Sequence, residues 1–272
     1  PTLTYRNLLD QADLGITFAG CGFLCTYHFG VIKCLMRNGK TLTSRIRRVS
    51  GASAGSLVAA MTVLSPDKLD ESMEVIMAMA DKIHSLPFGA LTPGFNLGEQ
   101  LVEVLGKFFP QDISVADHRL FISLTQHKTR VNCLVSTYPD RAYLITCLSA
   151  SCYIPMYTSG LTAPVPVIDG EPWVDGGYTN NLPDYSDLRT ITVSPLCMVC
   201  DITPPHDAFF DWTIGMANMH LKVKFRNILR GAQTLFPPSR RRLRQFYEQG
   251  YRDAFKFLLD NDMLERDTGS SV

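Results

Sequence analysis

The chain has 272 residues, room for one large domain or two small ones, and with 46% hydrophobic residues it can bury a substantial core. Its 26 lysines and arginines balance 26 aspartates and glutamates, so the net basic surface of a nucleic-acid binder is missing and no nucleic acid is expected as a partner. No apolar run is long enough for a spanning helix, and residues 1–15 lack the basic n-region and apolar h-region of a signal peptide.

In chain order, "LGITFAG" (14–20) reads as a buried strand closing on glycine, and "GVIKCLMRNG" (30–39) as a helix ended by Gly39. A second strand is expected over 45–50. Helices are expected over 56–64, 67–86 and 95–109. Strands follow at 119–126, 131–137 and 190–195, with a helix over 141–155 that runs into a loop. This alternation predicts an α/β domain with a mainly parallel sheet. The simplest organisation is a single domain over 1–272, with a core at about 14–200 and a helical extension at about 203–264.

In that extension, "LKVKFRNILRGAQTLF" (221–236) reads as a helix stopped by Pro237-Pro238. The next stretch places Leu243, Phe246, Tyr251, Ala254 and Leu258 at helical spacing. It reads as a terminal helix packed on the core. The alternative is a basic amphipathic surface that meets a membrane through Arg240, Arg241, Arg242 and Arg244.

The eight cysteines need not form a disulfide framework in a chain this long. Several lie in apolar stretches, where cysteine packs as a small hydrophobe, and the reading is a reduced, cytoplasmic protein. Cys197-Met198-Val199-Cys200 is a lone C-x-x-C with no second ligand pair, so no metal is expected.

Gly51-Ala52-Ser53-Ala54-Gly55 matches G-x-S-x-G. Alone it is a weak signal, but a strand pattern precedes it and a helix pattern follows it, as a nucleophile elbow requires. Acyl transfer also needs donors for an oxyanion. The loop "AGCGFLC" (19–25) offers the backbone N–H groups of Gly20, Cys21 and Gly22, and Ala54 after the serine offers another. For the base two readings stay open. One is a triad closed by His206 or His220; the other uses Asp175 of "WVDGGYTNNLP". Asp175 would sit at a loop tip, where its pKa near 4 makes a weak base unless burial raises it. Met73, Met77, Met79, Phe88, Phe108 and Phe109 fit a buried core or an acyl groove, with Leu86–Gly89 as a candidate lid hinge.

Together "AGCGFLC", "GASAG" and "VDGGYTNNLP", in this order, resemble the patatin-like phospholipase family, nearest to the branch that includes adipose triglyceride lipase. "GFNLGEQL", "LFISLT", "SCYIPMYTSGL", "TITVSPLCMVCDI" and "TLFPP" extend the likeness over most of 14–260. The resemblance implies a three-layer α/β/α fold and a Ser–Asp dyad without a catalytic histidine. Ser53 would be the nucleophile, Asp175 the base, and Gly20, Cys21 and Gly22 the oxyanion loop. It implies a hydrolase of acylglycerol esters, triacylglycerol foremost, with no cofactor. Alternatives on the same fold are a transacylase, a phospholipase or retinyl ester hydrolase, and a non-catalytic lipid-binding module. Implied partners are a lipid ester, a lipid droplet or membrane surface with peripheral attachment, and a protein co-activator. One position departs from the pattern: Cys25 stands where the family loop carries its last glycine. If that position needs positive φ, cysteine strains it; if it needs only a small side chain beside the helix, the favoured reading, cysteine fits.

Overall fold

A computed structural model describes residues 13–155, 157–158, 164–196, 199–205 and 237–265. The helix expected over 221–236 lies outside them, as do Cys197, His206 and His220. The first strand, β1 (Leu14–Phe18), is buried along its whole length. Such a strand needs cover on both faces, the situation of a parallel sheet between helical layers. A 3₁₀ turn (Gly22–Cys25) runs straight into α1 (Thr26–Asn38). This helix begins four residues earlier than its periodicity predicts. Thr26 and His28 are polar yet buried together with Tyr27 and Phe29, so the first turn has no apolar–polar periodicity to reveal it.

Then come α2 (Lys40–Arg45), β2 (Ile46–Ala52), α3 (Ala54–Leu64), α4 (Leu69–Ser85) and α5 (Leu97–Phe108). Asn96 caps α5 by accepting the Glu99 N–H. β3 (Leu120–Gln126), β4 (Asn132–Val135) and α6 (Arg141–Ser151) follow, with Asp140 capping α6 at the Tyr143 N–H. The hairpin β5 (Val167–Ile168) and β6 (Glu171–Asp175) is not predicted from periodicity. Its turn, Asp169-Gly170, has both residues at positive φ, the conformation a two-residue hairpin demands. The last described elements are β7 (Arg189–Val193) and α7 (Arg240–Asp260).

The parallel run is β3-β2-β1-β7. The other strands of the sheet are antiparallel: β4 and β6 pair with β3, and β5 pairs with β6. One register decides where the site forms. Along β3, Leu120 to Ser123 pair with β2, and Leu124 to Gln126 pair with β6. The other edge of β3, Ile122 to Thr125, is taken by β4. β2 and β6 therefore share one edge of β3 and meet end to end. Ala52 stands opposite Ser123 and Asp175 opposite Leu124.

α7 buries Leu243, Phe246, Ala254, Phe257 and Leu258, and packs chiefly on α1. Its apolar stripe thus faces the protein, and Arg240 and Arg244 pair with Glu74 and Asp81 of α4. The packed-helix reading holds over the membrane-facing one. The two helices touch backbone to backbone: a Cβ on Gly30 would come within 2.0 Å of the Tyr247 carbonyl oxygen, and one on Gly250 within 2.0 Å of that of Tyr27. Gly250→Ala is expected to cost about 1–3 kcal/mol by overpacking. Denaturant unfolding checks this, and an unchanged midpoint contradicts the crossing. Among the methionines and phenylalanines left open above, Met77, Phe108 and Phe109 are core, whereas Phe88 is exposed.

Candidate active site

Ser53 sits between β2 and α3 with φ 53° and ψ −132°. A β-carbon is strained there, and only a well-held backbone keeps it. The hold is visible on both sides of the residue. Its N–H donates to Ser151 Oγ at 2.9 Å. Its carbonyl accepts the Ser56 N–H at 2.9 Å and the Ser56 hydroxyl at 2.6 Å. The flanking glycines are needed for close approach. A Cβ on Gly51 would lie 2.4 Å from Gly55, and one on Gly55 would lie 2.1 Å from the Phe18 carbonyl oxygen.

Asp175 ends β6 rather than standing at a loop tip, and it is only 6% exposed. Its N–H donates to the Tyr153 carbonyl at 3.1 Å, and its carbonyl accepts from Thr125 Oγ1 at 2.8 Å. Burial pushes its carboxyl up to about 7, against the downward pull of hydrogen bonding from the Ser53 side chain and the Gly177 N–H. The Gly177 N–H reaches Oδ1 at 2.7 Å. A carboxyl titrating near neutrality beside a hydroxyl has the pKa and the neighbour that general-base chemistry requires.

The C-terminal end of α6 holds both residues. Ser151 grips the serine's N–H and the Tyr153 carbonyl grips the aspartate's N–H. Between them the Cys152 thiol is pushed well up by burial and by Asp175 and Cys25, with Ser56 and Ser53 hydrogen-bonding in opposition. Ser151 is fully buried, and its hydroxyl also donates to the Ser123 carbonyl at 2.8 Å. Ser151→Ala removes the partner of the Ser53 N–H and one donor to that carbonyl, and is expected to cost about 1–3 kcal/mol of folding stability. Chemical denaturation checks it, and an unchanged stability contradicts it.

The four expected oxyanion donors divide. The Cys21 and Gly22 N–H groups take no partner among the described residues, and Ala54 is the first residue of α3, where N–H groups are unpaired and the helix dipole is positive. The Gly20 N–H differs from these: it already donates to Asn181 Oδ1 at 3.1 Å and to the Asn181 carbonyl at 3.4 Å. Cys25 has φ −57° and ψ −17°, ordinary helical values, and is buried. Cysteine is unstrained at this position, and the positive φ of the loop falls on Gly22.

His28 braces the loop from behind, its Nε2–H donating to the Ala19 carbonyl at 2.9 Å with Cys21 Sγ 3.3 Å away. Burial pushes its pKa down to about 4, so it is neutral at working pH. Among the described residues, no histidine hydrogen-bonds Ser53 or Asp175. Beside Tyr153 an open groove of about 410 Å³ is lined by Val102, Ser149, Thr158 and Pro166. Ser151 and Asn181 are absent from the sequence reading. Their only trace there is membership of two quoted segments, because their partners lie 98 and 161 residues away.

A strained serine at a strand-to-helix turn, on a mainly parallel α/β sheet, defines a nucleophile-elbow protein. The chain belongs to the patatin-like phospholipase family, whose sequence model, described as "Patatin-like phospholipase", matches residues 16–184. Patatin-like phospholipase domain-containing protein 4 of Homo sapiens is 38% identical over 253 residues, which cover 93% of this chain and 99% of that protein. Patatin-like phospholipase domain-containing protein 2 of Rattus norvegicus is 36% identical, covering 94% of this chain and 53% of that protein. 1-acylglycerol-3-phosphate O-acyltransferase Pnpla3 of Mus musculus is 34% identical, covering 90% and 59%. The chain thus spans nearly all of the first relative and little more than half of the other two. Among solved structures, VipD from Legionella pneumophila shares the fold with a TM-score of 0.52 at 13% identity, covering 92% of this chain and 67% of that one. No helix among the described residues is long and apolar enough to cross a membrane.

Proposed function

We propose that the protein is a serine acyl hydrolase of lipid carboxylic esters, acylglycerols of the triacylglycerol type foremost, working through Ser53 and Asp175. The observation that carries this reading is the buried Asp175 carboxyl, held at about 7 beside the strained Ser53. As Ser53 Oγ attacks the ester carbonyl, its proton passes to Asp175. The tetrahedral oxyanion is met by the N–H groups of Cys21, Gly22 and Ala54. Collapse expels the alcohol, which takes the proton back from Asp175, and leaves an acyl-serine. Water then adds to the acyl carbon, giving a proton to Asp175. When the acid departs, the proton returns to Ser53 Oγ. The groove beside Tyr153 is the candidate place for an acyl chain.

If an alcohol enters in place of water, the same cycle is a transacylation. The mouse relative's name as an O-acyltransferase favours keeping that second reading. The substrate's insolubility supports peripheral work on the cytoplasmic face of a droplet or membrane, with a protein co-activator as a further partner. A fluorophosphonate probe tests the core of the proposal. It is expected to modify Ser53 in the native protein and to leave Ser53→Ala unlabelled, and a panel of triacylglycerol, phospholipid and retinyl esters ranks the substrates. A native protein that takes no label at Ser53 overturns the reading in favour of a non-catalytic module.

A further inference from the structure

Oxyanion donors work only if they are already aimed where charge develops. The loop carrying Cys21 and Gly22 extends past the end of β1, where the sheet no longer holds it. Ala19 makes the last ladder bond, from its N–H to the Val193 carbonyl at 3.0 Å. From there Asn181, on the segment after Asp175, takes over. Its backbone carbonyl accepts the Gly20 N–H at 3.4 Å; from its side chain, Oδ1 accepts the same N–H at 3.1 Å and Nδ2 donates to the Gly20 carbonyl at 3.3 Å.

The two side-chain bonds fall on two successive peptide planes. The first plane joins Ala19 to Gly20. The second contains the Gly20 carbonyl and, trans to it, the Cys21 N–H, which is one of the free donors. Fixing the carbonyl therefore fixes the direction of the donor. The same amide also touches the other half of the site. A Cβ on Gly20 would lie 2.6 Å from Asn181 Oδ1, and a Cβ on Gly177 would lie 2.7 Å from that same oxygen. Gly177 is the residue whose N–H binds the Asp175 carboxylate. Glycine at both positions leaves room for one side chain that bridges the oxyanion loop and the base loop.

We propose that Asn181 is a positioning residue that aims the Cys21 N–H at the developing oxyanion, so that transition-state stabilisation depends on it and substrate binding does not. The inference rests on the Ser53–Asp175 reading above. Asn181 is exposed, so replacing it buries no unpaired group and the fold is expected to survive.

The experiment measures three quantities on the native protein and two variants. Active sites are counted by fluorophosphonate titration. kcat and KM are measured with a soluble p-nitrophenyl ester. Ki is measured for a trifluoromethyl ketone, which adds Ser53 Oγ to form a stable tetrahedral oxyanion. In Asn181→Ala, kcat per titrated site is expected to fall about 10- to 100-fold and Ki to rise by the same factor, with KM and the pH midpoint unchanged. Asn181→Asp keeps an acceptor for the Gly20 N–H but sets a second carboxylate beside Asp175, so its acid limb should move to higher pH. The inference is overturned if Asn181→Ala loses only titratable sites, if kcat per site and Ki stay as in the native protein, or if Asn181→Asp leaves the pH midpoint in place. A native protein that does not label at Ser53 overturns the dyad reading instead, and this inference falls with it.

Discussion

Replacing Asp175 with asparagine is expected to remove turnover and, at alkaline pH, to stabilise the protein. The carboxyl titrates at about 7 in the folded chain because burial disfavours its charge, whereas an aspartate in an unfolded chain titrates near 4. Between those values the folded state holds a proton that the unfolded state releases, so stability falls as pH rises from about 4 to about 7. Above 7 the charge sits in a buried site, its desolvation only partly offset by the hydrogen bonds from Ser53 and Gly177. Asparagine has the same shape, carries no charge, and still accepts the Gly177 N–H. The expected result is a loss in kcat of about 1,000-fold or more, together with a higher Tm at pH 8. At pH 4, where both side chains are neutral, the two Tm values should converge. The native enzyme should show one acid limb in kcat/KM with its midpoint near 7 and a plateau above it. A native rate flat from pH 5 to 9, or a lower Tm for Asp175→Asn at pH 8, contradicts this account of the base.

Ser53→Ala should cost more, on the order of 10⁵-fold in kcat, because no group is left to form the acyl intermediate. The fold should persist, since the backbone at position 53 is held through its N–H and carbonyl, and the hydroxyl lost with alanine bonds only to the neighbouring Asp175 and Cys152 side chains. Alanine keeps the strain of φ 53°, whereas glycine relieves it. Ser53→Gly should therefore be equally inactive yet more stable than Ser53→Ala, by about 1 kcal/mol. Denaturation of the two variants side by side checks this. Equal stabilities would mean that the turn is unstrained.

The elbow was legible in the sequence because its demands are local. Small residues, two glycines and the change from strand to helix all lie within 46–64. The order of the parallel elements was legible for the same reason, since each carries its own period. The hairpin that bears Asp175 was not. β5 has two residues, and Pro172 and Trp173 give β6 no clean alternation, so the Asp169-Gly170 turn was its one usable sign. The burial of Asp175 comes from pairing with β3, about fifty residues away in the chain, and from the carbonyl of Tyr153. No local pattern encodes such contacts. The tuned pKa, the role of Ser151 and the bridge made by Asn181 all live on that tertiary level. Gly20 shows the converse. A glycine-rich loop announces free N–H groups, and only the fold reveals that one of them is already engaged.

The most direct test of the account is the rate at which Ser53 is acylated as a function of pH, measured by rapid quench and peptide mass spectrometry with a lipid ester, in the native protein and in Asp175→Asn. The account predicts acyl groups on Ser53, a rate that rises through a single ionisation near pH 7, and almost no acylation in Asp175→Asn at any pH. Acyl groups on another residue, or acylation of Ser53 at the native rate without the Asp175 carboxylate, would contradict it.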